Sequence, residues 1–211
     1  MKVIPFIYQD DDDLVANTFL IVDENNNCVV IDPSKDYDGI KNFIIKNNYS
    51  LKAIILTHAH IDHMRGVNLL NEEFNAPLYM GEYEIPYLND PFCNCSIFLN
   101  EEIDIKPSPL PLKDKEEINL LSSPLEVIWT PYHTYGSICL YLPKENILFS
   151  GDSLFASSIG RSDFKNSKPK MMDDSLRKIM KLPDECKIYP GHGSFTNIKQ
   201  ERMTNYFVKY L

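Results

Sequence analysis

The chain has 211 residues, 44% of them hydrophobic, and a formal net charge of −9. That length supports a sizeable core in one domain spanning residues 1–211, while the acidic balance, with no basic stripe, argues against a nucleic-acid partner, which needs clustered Lys and Arg against phosphates. No run of ~18 apolar residues offers a membrane span, and Met1-Lys2-Val3-Ile4-Pro5-Phe6 leads into Asp10–Asp13 rather than an apolar export signal, so the expectation is a cytoplasmic protein with no membrane partner.

In chain order, Val3–Tyr8, Asn17–Val22 and Cys28–Ile31 are rich in β-branched and aromatic residues and read as strands, with Glu24-Asn25-Asn26-Asn27 as a hairpin turn. The acids Asp10 to Asp13 read as a solvated loop, because consecutive carboxylates do not readily face one ion. Ile40, Phe43, Ile44 and Ile45 recur near helical spacing, and Ala53–Leu56 is a short apolar run ending at Thr57. Val67, Leu69, Leu70 and Phe74 predict a helix, Pro77–Met80 a strand and Glu82–Leu88 a short helix. Residues 89–124 carry five prolines and little periodicity, which fits loops and short strands, either as a substrate-side flap or as a plain connection. Leu125–Thr130, Ile138–Leu142 and Ile147–Ser150 read as strands of a second sheet, with Pro143–Asn146 as a turn. Leu176, Ile179, Met180 and Leu182 fit a helix, Lys187–Tyr189 a last strand and Ile198–Tyr210 a closing helix, within which Tyr206, Phe207 and Tyr210 read as packing residues.

The five cysteines, Cys28, Cys93, Cys95, Cys139 and Cys186, are odd in number and irregularly spaced, which suits reduced thiols better than a disulfide framework. Cys93 and Cys95 lack a matching second pair for a structural zinc. Histidine placement is more pointed. In Thr57-His58-Ala59-His60-Ile61-Asp62-His63, extended backbone would turn His58, His60 and Asp62 the same way, and imidazole with carboxylate suits zinc, iron or manganese. Only five histidines exist; the other two, His133 and His192, follow strand-like runs in turns flanked by Pro or Gly, as does Asp152 in Gly151-Asp152-Ser153. Any one of them alone reads as an ordinary surface or turn residue. Together they read as metal ligands gathered at strand ends.

The order His-x-His-x-Asp-His, a lone His, Gly-Asp and Gly-His-Gly resembles the metallo-β-lactamase superfamily across nearly the whole chain. Gly151–Phe155, Ile159-Gly160-Arg161-Ser162-Asp163-Phe164 and Tyr189–Gly193 resemble its hydroxyacylglutathione hydrolase (glyoxalase II) branch, here in a short form without the added C-terminal helical domain. The resemblance implies an α+β, four-layer αββα sandwich with two divalent metal ions, zinc first and iron or manganese as alternatives. It places His58, His60 and His133 on one ion and Asp62, His63 and His192 on the other, with Asp152 bridging and Asp32 bracing a loop. Arg65 in Asp62-His63-Met64-Arg65-Gly66, and Tyr132 and Tyr135 in Pro131-Tyr132-His133-Thr134-Tyr135-Gly136, depart from the family pattern beside the site, which puts pocket shape and substrate in question.

The implied chemistry is hydrolysis of a small-molecule thioester or related ester by water activated between the ions, with Asp62 and Asp152 the catalytic carboxylates and Asp62 orienting the nucleophile. Arg161 sits where the branch places a base for a glutathione carboxylate, with Arg65 a second candidate for an anionic tail; a surface ion pair is the competing reading of Arg161. Two other activities share these motifs. A mononuclear iron persulfide dioxygenase shares Gly160–Phe164, and a lactonase would use the same ligands. Gly191-His192-Gly193 favours hydrolysis. Nothing in the sequence specifies an oligomeric state.

Overall fold

The computed structural model describes residues 1–8, 15–35, 37–209 and 211; the Asp10–Asp13 run and Tyr210 lie outside them. β1 (Lys2–Phe6), β2 (Thr18–Val22), β3 (Asn27–Ile31), β4 (Ser50–Leu56), β5 (Leu78–Gly81) and β6 (Leu110–Leu112) make one sheet in that order. β7 (Glu117–Ile118), β8 (Leu125–Trp129), β9 (Ile138–Leu142), β10 (Ile147–Gly151), β11 (Lys187–Pro190) and β12 (Thr196–Asn197) make the other. The first is antiparallel from β1 to β3 and parallel from β3 to β6, and the second is antiparallel except between β10 and β11.

Period-two alternation explains the layering. In β2, Phe19 and Ile21 face the second sheet and meet Val127, Leu140 and Phe149, while Leu20 and Val22 face the opposite way. That outer face packs on Ile40 and Ile44 of α1 (Tyr37–Lys46) and on Val67 and Leu70 of α3 (Val67–Phe74). On the far side, Ile128, Cys139, Leu148 and Ile188 meet Leu176 and Ile179 of α4 (Met172–Ile179) and Ile198 of α5 (Ile198–Thr204). Central strands buried on both faces are predominantly apolar, and β2 and β9 are buried at every position. Each such Leu, Ile or Val contributes about 1.5–3 kcal/mol of burial. The result is helix, sheet, sheet, helix: the αββα sandwich.

Three elements differ from the sequence reading. The helix expected over Glu82–Leu88 is one 3₁₀ turn, Ile85–Tyr87, because Pro86 has no N–H to donate. Lys187–Pro190 is followed by the two-residue strand β12, which pairs with it antiparallel. The closing helix stops at Thr204, where Asn205 turns extended at ψ 119° and its amide donates to the Ser158 carbonyl at 3.0 Å and to Glu201 at 2.8 Å. Among the described residues no helix is long and apolar enough to cross a membrane.

Candidate metal centre

Five of the seven candidate ligands closely follow the C-terminal end of a strand. His58 and His60 leave β4, His133 leaves β8, Asp152 leaves β10 and His192 leaves β11. The alternation expected to carry Asp62 inward with the two histidines extends only to His60, whose backbone is extended (φ −70°, ψ 143°). The chain then enters a short helical turn, α2 (Ile61–Met64), and Asp62 and His63 project from it. Two backbone regimes in six residues deliver four side chains to one place.

The His60 Nδ1 atom lies 3.0 Å from His58 Nε2 and 3.0 Å from His133 Nε2. Asp62 Oδ2 stands 3.1 Å from His192 Nε2 and 3.7 Å from His63 Nε2. Asp152 spans the groups, with Oδ1 3.3 Å from His63 Nε2 and Oδ2 3.5 Å from His133 Nε2 and 3.6 Å from His192 Nε2. Ligands about 2.0–2.1 Å from a tetrahedral ion are about 3.3 Å from each other. The observed spacings match that figure around two centres, and the donors are all nitrogen and oxygen.

Second ring nitrogens decide what the first ones present. Thr57 donates its hydroxyl to Asp32 at 2.7 Å, so its oxygen is left to accept from His58 Nδ1–H at 3.1 Å. His63 Nδ1–H donates to Asp32 at 2.9 Å and His133 Nδ1–H to the Arg161 carbonyl at 2.7 Å. Three imidazoles are thereby fixed as tautomers whose Nε2 lone pairs point into the cluster. Converging lone pairs repel unless a cation sits between them. His63 Nε2 and Asp152 Oδ1, and also the outer His60 Nε2, are buried without a hydrogen-bond partner; the first two point into the cluster as ligand atoms would, so with the spacings above the residues fit a metal pair.

Charge tells the same story. Burial pushes the His58 imidazole well below its ordinary range and, reinforced by His133, brings His60 down to about 3. For Asp62, burial opposes ionisation, but His63 and His192 outweigh it and bring the carboxyl down to about 2. His192 and His63 likewise overcome burial and hold Asp152 well below the carboxylate range. Burial opposes a proton on His63, yet Asp62, Asp32 and Asp152 raise that imidazole well above its usual value. Without metal, the carboxylates thus draw protons onto neighbouring histidines; divalent ions would supply that charge.

Several supporting residues escaped sequence reading. Asp32, expected to brace a loop, also orients His63, and both its oxygens are used, since Oδ1 accepts the Thr57 N–H at 2.8 Å. Buried Glu84 accepts from Ala59 N at 3.0 Å, Thr134 Oγ1 at 2.8 Å and Gly136 N at 2.9 Å, tying the His58–His60 loop to the His133 loop. Burial pushes its carboxyl up to about 7. Asn17 holds the His192 loop, donating to the carbonyls of Pro190 at 2.9 Å and Gly193 at 3.1 Å. A lone Glu in an irregular stretch and an Asn ahead of a strand carry no spacing signal. Glycines beside the ligands did: a Cβ on Gly191 would lie 2.4 Å from Asp152 Oδ1, so only glycine lets that loop approach.

The pattern departures act away from the cavity. Tyr132 is fully buried, and its hydroxyl donates to the Ser153 carbonyl, bracing the Asp152 loop from beneath. Tyr135 packs at a tilt against Tyr83 and edge-on against Trp129. Arg65, the second candidate for an anionic tail, is not among the residues lining the cavity, and its guanidinium forks onto Glu101 at 2.8 and 3.0 Å. Arg161 does line the cavity, but Asp163 holds it at 2.6 and 2.7 Å, so a substrate carboxylate would have to compete with Asp163. Within 89–124, Phe92, Cys95, Phe98 and Leu99 form cavity wall, and the later residues supply β6 and β7.

Comparison with known proteins follows the same lines. A metallo-β-lactamase superfamily model matches residues 11–192. The chain is 30% identical to the probable metallo-hydrolase YqgX of Bacillus subtilis, covering 92% of both chains. It is also 30% identical to the hydroxyacylglutathione hydrolase GloC of Haemophilus influenzae, over 91% of this chain and 92% of that one. Among solved structures, the B3 metallo-β-lactamase BLEG-1 superposes with a TM-score of 0.86 at 32% identity, covering 92% of this chain and 94% of that one. TTHA1623 in a di-iron-bound form gives 0.85 at 30%, covering 97% and 99%. ETHE1 from Myxococcus xanthus gives 0.78 at 26%, covering 98% and 84%.

Proposed function

This chain belongs to the metallo-β-lactamase superfamily, and from that premise we propose a binuclear metal-dependent hydrolase that cleaves a small-molecule thioester, of the hydroxyacyl-glutathione kind, or a related ester. The observation that carries the reading is the outward anchoring of His58, His63 and His133, which aims their free lone pairs at one another beside Asp62 and Asp152. His58, His60 and His133 would hold one ion, Asp62, His63 and His192 the other, with Asp152 shared.

Two divalent ions there would lower the pKa of a shared water from about 15.7 toward neutrality and polarise the substrate carbonyl. The chain's own residues do the rest. Asp62, with Oδ2 turned to His192, would accept a hydrogen bond from the attacking water through its other oxygen and aim it at the carbonyl carbon. Asp152, gripped from both sides, keeps the two ligand groups at a fixed separation. A thiolate leaves without needing a proton, and the similarity to GloC supports a thioester over other esters. Zinc, iron and manganese all suit the donors, and the di-iron form of TTHA1623 keeps iron in view.

One observation favours a second reading, a persulfide dioxygenase: Gly160, Arg161, Asp163 and Phe164 of the segment shared with that branch line the cavity, and Phe164 packs on His60 with ring centroids 4.6 Å apart. His192, only 3.1 Å from Asp62, completes a second ligand group and supports hydrolysis instead. The deciding experiment pairs metal analysis with a panel of thioesters, lactones and β-lactams, run under nitrogen, against oxygen uptake with glutathione persulfide. Cleavage without oxygen supports the hydrolase; oxygen uptake with no thioester cleavage overturns it.

A further inference from the structure

The cavity in front of the donor cluster holds about 580 Å³, far more than the acetyl or lactoyl end of a small thioester occupies. Its chemistry is lopsided. Donors form the floor, and around them stand Phe92, Phe98, Leu99, Phe155 and Phe164. Phe164 packs edge-on against His60 and His133, and Phe155 against His192 at 5.9 Å, so an aromatic ring flanks each ligand group. In the same lining, Phe92 and Phe98 are 52% and 70% exposed among the described residues, a large apolar outlay for a cavity wall.

Rim charges cancel. Arg161 is forked to Asp163, and Lys165 lies 3.4 Å from Asp90, with their cationic groups over the rings of Phe164 and Phe92 at 4.7 and 5.5 Å. Cys95, also in the wall, has its thiol pushed up to about 12, chiefly by burial, and stays neutral. A ligand that fills this space therefore meets aromatic faces and matched ion pairs. Apolar pockets with a few convergent polar groups bind ligands of the same make-up.

We infer that the substrate of the hydrolase proposed above, on which this inference rests, carries a bulky, uncharged apolar acyl group of phenyl size, seated against Phe92, Phe98 and Phe164 of the cavity lining. Hydrolysis breaks the C–S bond and forms a C–O bond from water; the acid departs as the carboxylate, and the thiolate takes up a proton from solvent. The aromatic wall selects the acyl group and takes no part in bond making.

The test uses the metal-loaded full chain with N-acetylcysteamine thioesters of phenylacetate and acetate, which share a leaving group. In parallel, calorimetry measures binding of the two matching ketones, in which a methylene replaces sulfur and nothing can be cleaved. The phenylacetyl ester should lead in kcat/KM by at least about ten-fold, with a similar lead in ketone affinity. Phe98→Ser, and separately Phe92→Ser, should shrink both leads at least about three-fold; both residues are exposed enough for the fold to tolerate the change. Tyr206→Ser, 76% exposed elsewhere, should leave both leads intact. Equal or reversed preference in the ketones overturns the inference. Absence of all thioester cleavage overturns the hydrolase reading, and the ketones still decide the apolar one.

Discussion

The two walls of the cavity are built on opposite principles. On the donor side, His58, His63 and His133 are buried and held through their outer nitrogens by Thr57, Asp32 and the Arg161 carbonyl. In the apolar part of the lining, Phe92 and Phe98 stand largely in solvent on a stretch broken by left-handed residues, Cys95 (φ 66°) and Asn100 (φ 52°). A metal centre needs ligands fixed to a few tenths of an ångström, which only a rigid sheet end with a second layer of hydrogen bonds supplies. Substrate choice needs area and shape, which a loop can change without disturbing the chemistry. One scaffold can therefore keep its reaction while its substrate drifts.

The sharpest break in that contrast comes from the donor wall itself. His58→Ala or Asp152→Ala should lower turnover by about a thousand-fold or more while far-ultraviolet circular dichroism stays native; near-normal rates after chelation and metal re-addition would remove those residues from the roles given them. One layer back, Asp32→Asn replaces an oxygen that accepts from both Thr57 and His63. Metal affinity should fall about 10- to 100-fold, read by competition with a chromogenic chelator, and unchanged affinity would make Asp32 a loop brace only.

Glu84 tests whether the two ligand loops are coupled. Burial raises its carboxyl to about 7 in the folded chain against an ordinary 4.5, so between those values the folded state binds more protons than the unfolded one. Stability from this group is full below the lower value and declines as pH rises through the upper one. Relative to Glu84→Gln, the native chain should lose stability from pH 5 to pH 8, by at most about 3 kcal/mol at about 1.4 kcal/mol per pH unit, in urea titrations at the two pH values. A difference independent of pH would mean that three N–H and O–H donors keep the carboxylate charged throughout. Smallest is the rim: because Asp163 already occupies Arg161, Arg161→Ala should change KM for a glutathione thioester by less than about three-fold, and a ten-fold rise would restore Arg161 as a carboxylate anchor.

Much of the donor wall was legible in the sequence, and little of the apolar wall was. The proposed ligands stand out because metal chemistry favours His and Asp, and because strand ends with Gly or Pro beside them, as at His133, Asp152 and His192, are the places a rigid sheet exposes. The strands were equally plain, since β2 and β9 are runs of mostly apolar residues, with Thr18 and Tyr141 as their polar members. Asp62 exposed a limit: alternation explained its inward direction, yet the chain had already turned helical, and both backbones satisfy the same spacing. Glu84, Asn17 and Asp32's bond to His63 depend on contacts 25 to 176 residues apart in sequence, which no local pattern encodes. Phe92 and Phe98 were hidden among prolines because an apolar residue in a loop looks the same whether it lines a cavity or packs beneath one.

The central claim is that these seven side chains hold two cations in one cleft. The most direct measurement is metal content by mass spectrometry across a titration of the chelated protein, followed in parallel by thioester turnover. The account predicts turnover rising with occupancy toward two divalent ions per chain, and a loss of tight binding and turnover together in Asp152→Ala. Full turnover from the stripped protein, or saturation with no dependence on Asp152, would contradict it.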